Sequence, residues 1–301
     1  MLASNNPASQ ATVALTLIVV QYALVGAGAL IALAWLVTLV RRRRWRQPLA
    51  EVRCTGQGPS FMHLLLVVAV FLLLQNITLT IAFRGLDRAA LQNPSSHVSH
   101  TVMTIVGAAK LLACVLITLI LARVRSFAPA SLTASAPPPL SFLRMSRLAI
   151  AGTLIILPIV ALQLNMGQIL WRWYSPTPLP VHNTFEALRD SEWGTAGVVQ
   201  LFVMAIVVAP ITEELLFRGL LLQLICRYTR RTWVAIALSG ALFGLVHLDL
   251  PQAVLPLTSM GIILGYVRVK YRSIELCILI HALFNAQAMV TAFLAPELIP
   301  T

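Results

Sequence analysis

Residues 209–223 read APITEELLFRGLLLQ. Two adjacent glutamates, Glu213 and Glu214, and one arginine, Arg218, are set in an apolar run that extends over roughly 197–225. About 20 apolar residues suffice for a helix to cross a hydrocarbon core, so this run reads as a membrane span. Ionisable groups inside a span are costly and are functional candidates by default. Neighbouring helical residues point about 100° apart, so the two glutamates cannot do the same job. Arg218 lies four residues after Glu214 and shares its face, which allows an ion pair. Glu213 points elsewhere and can act as a carboxylate base.

The rest of the chain has the same character. Of 301 residues, 58% are hydrophobic and only 11% are charged, whereas soluble domains carry about a quarter charged residues. Mean hydropathy is +0.85. Such a chain cannot hide its apolar surface in one aqueous core. Eight apolar runs are long enough to consider as spans: roughly 12–40, 62–83, 102–122, 147–170, 197–225, 232–248, 252–269 and 274–295. The expected fold class is therefore all-α, a polytopic transmembrane helical bundle of about eight spans, multi-pass in a bilayer that in a bacterium is the plasma or inner membrane.

A net charge of +12 does not point to nucleic acid. The basic residues gather at the ends of apolar runs, as in Arg41 to Arg44, and not over a polar face among aromatics. They fall in alternate loops, around 41–53, 123–147, 227–231 and 268–272, which marks those loops as cytoplasmic and both termini as external. The first run is too long for a signal-peptide core and lacks a preceding basic residue, so it reads as a retained span. The four cysteines, Cys54, Cys114, Cys226 and Cys277, are widely separated and read as small core hydrophobes, not as a disulfide framework or zinc knot.

Residues 126–140, SFAPASLTASAPPPL, break the pattern with Pro, Ala and Ser. This predicts a cytoplasmic linker over about 126–145, between a three-span region (1–125) and a five-span region (146–301). In the outer loop 175–195 a short interfacial helix is expected, with Asn183 as N-cap and Glu186 three residues later. There is no internal repeat, which argues against a transporter with Glu213 as a proton relay.

Further polar residues stand on the later spans. His247 ends the sixth, one turn after Phe243. His281 and Asn285 are four apart on the eighth and share a face. Each alone reads as an interfacial residue or as helix–helix glue. Together with Glu213 they match the needs of hydrolysis: a carboxylate or imidazole to take a proton from water, and polar donors to stabilise an oxyanion. Glu213, His247 and His281 can alternatively be three ligands of a zinc ion with water as the fourth. Gly240 and Gly244, and Gly261 and Gly265, have the spacing of close helix packing. Weaker candidates are His97 with His100 in an outer loop, Lys110, Gln75 with Asn76, and Gln163 with Asn165.

EELLFR at 213–218, FGLVH at 243–247 and HALFN at 281–285 resemble the motifs of the CPBP family, the CAAX proteases and bacteriocin-processing enzymes that include Rce1-type prenyl-protein endopeptidases. The family pattern is EExxxR, then FxxxH, then HxxxN or a variant of it, in that order on apolar helices. The resemblance covers roughly 195–295 and leaves the first three spans unexplained. It implies an intramembrane endopeptidase that cuts a membrane-associated or lipidated protein or peptide. Glu213 would be the general base, His247 would position water, and His281 with Asn285 would form the oxyanion site. Glu214, Arg218 and Phe243 would be structural support. Relatives are described both as metalloproteases and as metal-free glutamate enzymes, so zinc stays open. Straight spans at 1.5 Å per residue set His247, near the outer end of its span, at a different depth from His281. The alternative from another class is a non-enzymatic membrane protein, an immunity factor or scaffold.

Overall fold

The computed structural model describes residues 7–41, 59–84, 96–123, 140–189 and 194–295. Among them there is no strand. The helices are α1 (Pro7–Arg41), α2 (Phe61–Arg84), α3 (Ser96–Arg123), α4 (Phe142–Tyr174), α5 (Asn183–Arg189), α6 (Gly194–Thr229), α7 (Thr232–Leu245), α8 (Pro251–Tyr271) and α9 (Ile274–Leu294). All but α5 coincide with the eight apolar runs. By length and composition, five helices can cross a membrane: α1, α4, α6, α8 and α9. Apolar segments of α2 and α3, and α7 as a whole, are shorter. Large apolar side chains such as Leu15, Leu73 and Leu162 are about 60% exposed along these helices, as lipid contact requires. The protein is an integral, multi-pass membrane protein with a helical-bundle fold. The inter-span linker expected over about 126–145 lies, apart from its last few residues, outside the described residues.

The helices pack as two compact units. The first holds α1, α4, α5, α8, α9 and the part of α7 from Gly240 onward. Its centre is α4, which packs against α1, α8 and α9. Ala149, Ile156 and Val160 of α4 meet Met260, Leu264 and Val267 of α8 and Leu276, Cys277 and Ile280 of α9. The spacings of three, four and seven set one face of each helix to the core. Small residues bring the backbones close. A Cβ on Gly28 of α1 would run into the Leu154 carbonyl oxygen, and one on Gly152 would stand 2.8 Å from Ile280 Cδ1. Two polar contacts cross the same interfaces: Gln163 Nε2 donates to Ser259 Oγ at 2.9 Å, and Thr153 Oγ1 to the Ile280 carbonyl at 3.3 Å.

The second unit holds α2, α3, α6 and α7 up to Ser239. Val67, Ile117 and Leu220 form its buried centre. Cys114 Sγ donates to Thr212 Oγ1 at 3.2 Å, and Thr212 Oγ1 donates to the Val208 carbonyl at 2.7 Å. Cys114 and Cys277 are free and buried, as expected of small core hydrophobes. Cys226 departs from that expectation and is disulfide-bonded. No CxxC-type spacing announces the pairing.

α6 is not a regular helix. It widens into π turns at Met204–Val208 and Leu215–Leu221, on either side of the α-helical piece Ala209–Glu214. Pro210 accounts for the first: it lacks an N–H and its ring clashes with the carbonyl four residues back, and a widened turn before it relieves both. α6 and α8 end in left-handed residues, Arg230 (φ 55°) and Arg272 (φ 54°), where a cation also complements the helix C-terminus. Ser273 caps α9 by accepting the Leu276 N–H at 3.0 Å. The short loop helix α5 forms as expected but is capped one residue earlier. The His182 carbonyl accepts its first amides, and His182 Nδ1 accepts the Thr184 N–H at 3.1 Å.

Candidate active site

Glu213, Glu214 and Arg218 belong to the second unit. Arg218 Nη1 donates to Glu214 Oε1 at 2.8 Å, and both side chains are fully buried. This is the i, i+4 pair the sequence predicts. Arg218 lies within the second π turn. There the Phe217 carbonyl takes the N–H of Leu222, five residues on, and also the Ser239 hydroxyl of α7 at 3.2 Å. Ser239 is 1% exposed, and it ties the widened turn to the neighbouring helix. In the sequence it is a lone serine in an apolar run, with no spacing that marks this role. Glu213 is half-buried and stands at the end of the α-helical piece, turned away from Glu214 by the ordinary helical angle.

Phe243, His247, His281 and Asn285 belong to the first unit. α7 has 14 residues, so it rises about 21 Å, less than the hydrocarbon core of about 30 Å. His247 lies in the turn that follows it. The His247 amide donates to the Gly244 carbonyl, and its carbonyl accepts the Leu250 N–H, both at 3.0 Å. Its ring Nδ1 is 2.9 Å from the Phe243 carbonyl oxygen. A carbonyl only accepts, so Nδ1 carries the hydrogen and, in the neutral ring, Nε2 carries the lone pair. The imidazole is thereby held in the tautomer that can receive a proton or orient a water.

Phe243 is the hinge of this group. It is 1% exposed and meets the edges of both histidines: His247 at 5.4 Å between centroids and 62°, His281 at 5.8 Å and 86°. Edge-on contacts of this kind are favourable for aromatic rings. His247 and His281, expected at different depths, thus both bear on one ring, with His247 in the turn after a helix that ends at Leu245. His281 is 3% exposed, and Asn285 follows it by one turn, half-buried.

The position of Phe243 depends on the approach of α7 to α8. A Cβ on Gly240 would lie 2.7 Å from the Ile262 amide nitrogen, and one on Gly261 would lie 2.8 Å from Gly240 Cα. A Cβ on Gly244 would overlap Thr258 Oγ1 and the Val254 carbonyl oxygen. Only glycine allows this backbone contact.

For zinc, the donor set was expected to be Glu213, His247 and His281. Among the described residues no three His, Cys, Asp or Glu side chains converge so as to hold a metal ion. Of the weaker candidates, the side chains of His97 and His100 lie outside the described residues. Asn76 and Asn165 donate back to carbonyls of their own helices, those of Leu72 and Ala161. Gln163 crosses to Ser259 of another helix, and the side chain of Gln75 lies outside the described residues.

The motifs fall inside a recognised family segment. The model of the Rce1-like family, type II CAAX prenyl endopeptidases, matches residues 195–287, which include EELLFR, FGLVH and HALFN. The UPF0177 protein YbdI of Lactococcus lactis is 28% identical over 90 residues, 30% of this chain and 48% of the relative. The uncharacterised protein YyaK of Bacillus subtilis is 31% identical over 104 residues, 31% of this chain and 35% of the relative. The chain thus spans half or less of the curated relatives it matches. No solved structure matches significantly. The segment that carries Glu213, His247 and His281 is thus the part of the chain that matches the Rce1-like family of CAAX prenyl endopeptidases.

Proposed function

We propose that the protein is an intramembrane endopeptidase that hydrolyses a peptide bond of a membrane-associated or lipidated protein or peptide. Glu213 takes a proton from water while the water oxygen attacks the scissile carbonyl. His247, through Nε2, accepts a hydrogen bond from that water and orients it. His281 and Asn285 donate to the oxyanion of the tetrahedral intermediate. Collapse of the intermediate breaks the C–N bond, and the proton held by Glu213 passes to the leaving amine. Glu214 and Arg218 take no part in proton transfer. Their buried pair fixes the turn from which Glu213 projects.

The observation that carries this reading is the joint bearing of His247 and His281 on Phe243, with the His247 tautomer set by the Phe243 carbonyl. Dry helix glue has no need of two imidazoles on one aromatic ring. The family match over 195–287 supports the same reaction class.

The test is cleavage of a library of membrane-associated and lipidated peptides by purified protein, comparing wild type with His247→Ala, each with and without a chelator. The reading predicts cleavage by wild type that survives chelation and is lost in the variant. Cleavage by His247→Ala at the wild-type rate would remove His247 from the mechanism. Loss on chelation, restored by zinc, would favour metal-bound water. A folded wild type that binds library members and cuts none would favour the scaffold or immunity alternative.

A further inference from the structure

One end of the first unit carries a cluster of cations that the proposed reaction does not use. The helix register places them together. α4 and α8 are antiparallel, since Gln163 meets Ser259 and Gly167 packs on the backbone of Gln252. α9 follows α8 after Arg272 and Ser273, so it runs parallel to α4, and Thr153 bonds to Ile280. Six residues back along both parallel helices, Arg147 is level with Ile274, the first residue of α9. The start of α4, with Arg144 and Arg147, thus adjoins the end of α8, with Arg268, Lys270 and Arg272. Met145, Leu148 and Tyr271 pack on the same core as Leu276. Five cations stand here with one acid beside them, Glu275, which accepts the Ser273 hydroxyl at 2.7 Å and whose charge also acts on Arg268 without taking the Arg268 Nε–H.

Three observations go beyond the usual basic rim of a membrane protein. Arg268 lies one turn inside Arg272, about 6 Å deeper, and its buried Nε has no hydrogen-bond partner. A charged donor buried without an acceptor is expensive. Arg144 and Arg147 stand near the positive end of the α4 dipole, with no acid in the first turn to offset them, where cations are unfavourable. The Lys270 ammonium lies over the Tyr266 and Tyr271 rings, at 5.2 and 5.5 Å.

We propose that this end of the unit binds the phosphate of an anionic phospholipid headgroup, with Arg268 as the inner contact and Arg147 and Arg272 flanking it. The phosphate oxygen supplies the acceptor that Arg268 Nε lacks and offsets the cations at the α4 terminus. The inference is independent of the catalytic reading.

The experiment uses the full chain in phosphatidylcholine nanodiscs with and without phosphatidylglycerol, with retained lipid counted by native mass spectrometry and thermal stability followed in parallel. Wild type should retain phosphatidylglycerol preferentially and melt higher in its presence. Arg272→Gln and Arg268→Gln should each weaken retention roughly fivefold, as expected for one cation near a charged membrane surface. Arg172→Gln, the same charge change in the last turn of α4, should behave as wild type. If Arg268→Gln does not fold, Arg272→Gln and Arg147→Gln decide the matter. Equal retention of both lipids, or equal loss in Arg172→Gln, overturns the proposal. So does full protection by inorganic phosphate, which would identify an anion site without a lipid.

Discussion

Gly240→Ala tests whether the backbone contact of α7 with α8 sets the site. An ideal Cβ at position 240 stands 2.6 Å from Ile262 Cγ1, 2.7 Å from the Ile262 nitrogen and 3.0 Å from the Gly261 carbonyl carbon. The first of these can rotate away, but the other two are backbone. Ordinary contact begins near 3.4 Å, so the helices must part by about 0.7 Å at this crossing. Overpacking of that kind costs about 1–3 kcal/mol. With a temperature dependence of roughly 2–4 °C per kcal/mol, the melting point should fall on the order of 5 °C, read by tryptophan fluorescence in detergent. Phe243 is three residues along the same helix, so its contact with His281 should loosen and cleavage should slow beyond what instability explains. Gly26→Ala is the control. Nothing lies within 4 Å of its Cβ, and alanine there should be neutral or stabilising by up to about 1 kcal/mol. If Gly240→Ala melts at or above wild type while Gly26→Ala does not differ from it, the close approach of α7 and α8 is wrong.

Arg218→Met leaves Glu214 as a buried charge and should destabilise by about 3–5 kcal/mol, seen as loss of the folded peak by size-exclusion chromatography; an elution peak and melting point like wild type would contradict the buried pair. Phe243→Leu keeps an apolar side chain but removes the aromatic edge from both histidines. It should cost about 1–2 kcal/mol in stability and slow cleavage about tenfold, and an unchanged rate would show that the ring does not position them. Gln163→Leu removes the interhelical bond to Ser259 and should lower stability by about 0.6 kcal/mol, measurable as a small shift in melting temperature, with no effect on cleavage.

Hydropathy alone located every long helix, because a bilayer allows one solution for an apolar run: satisfy the backbone within the helix. The Glu214–Arg218 pair was equally legible, since four-residue spacing places both on one face. What escaped was geometry that depends on other helices. Pro210 announces a disturbance in α6, but not that it takes the form of two π turns, nor that Ser239 would bond to the Phe217 carbonyl. The His182 cap escaped because a histidine ring and an asparagine amide compete for the same N-terminal amides, and local spacing favoured Asn183. The expected difference in depth between His247 and His281 rests on straight spans of 1.5 Å rise per residue. The end of α7 at Leu245, and the glycine contacts at 240 and 244, bring Phe243 to His281.

The most direct measurement is the single-turnover cleavage rate of Glu213→Gln beside wild type, on a substrate both bind, with melting temperatures shown to match. Glutamine keeps the size of the side chain and removes its basicity. If Glu213 is the base, the rate should fall by about 10²–10⁴ while substrate affinity holds. A rate within a few-fold of wild type would contradict the account, and the proton acceptor would have to be sought elsewhere.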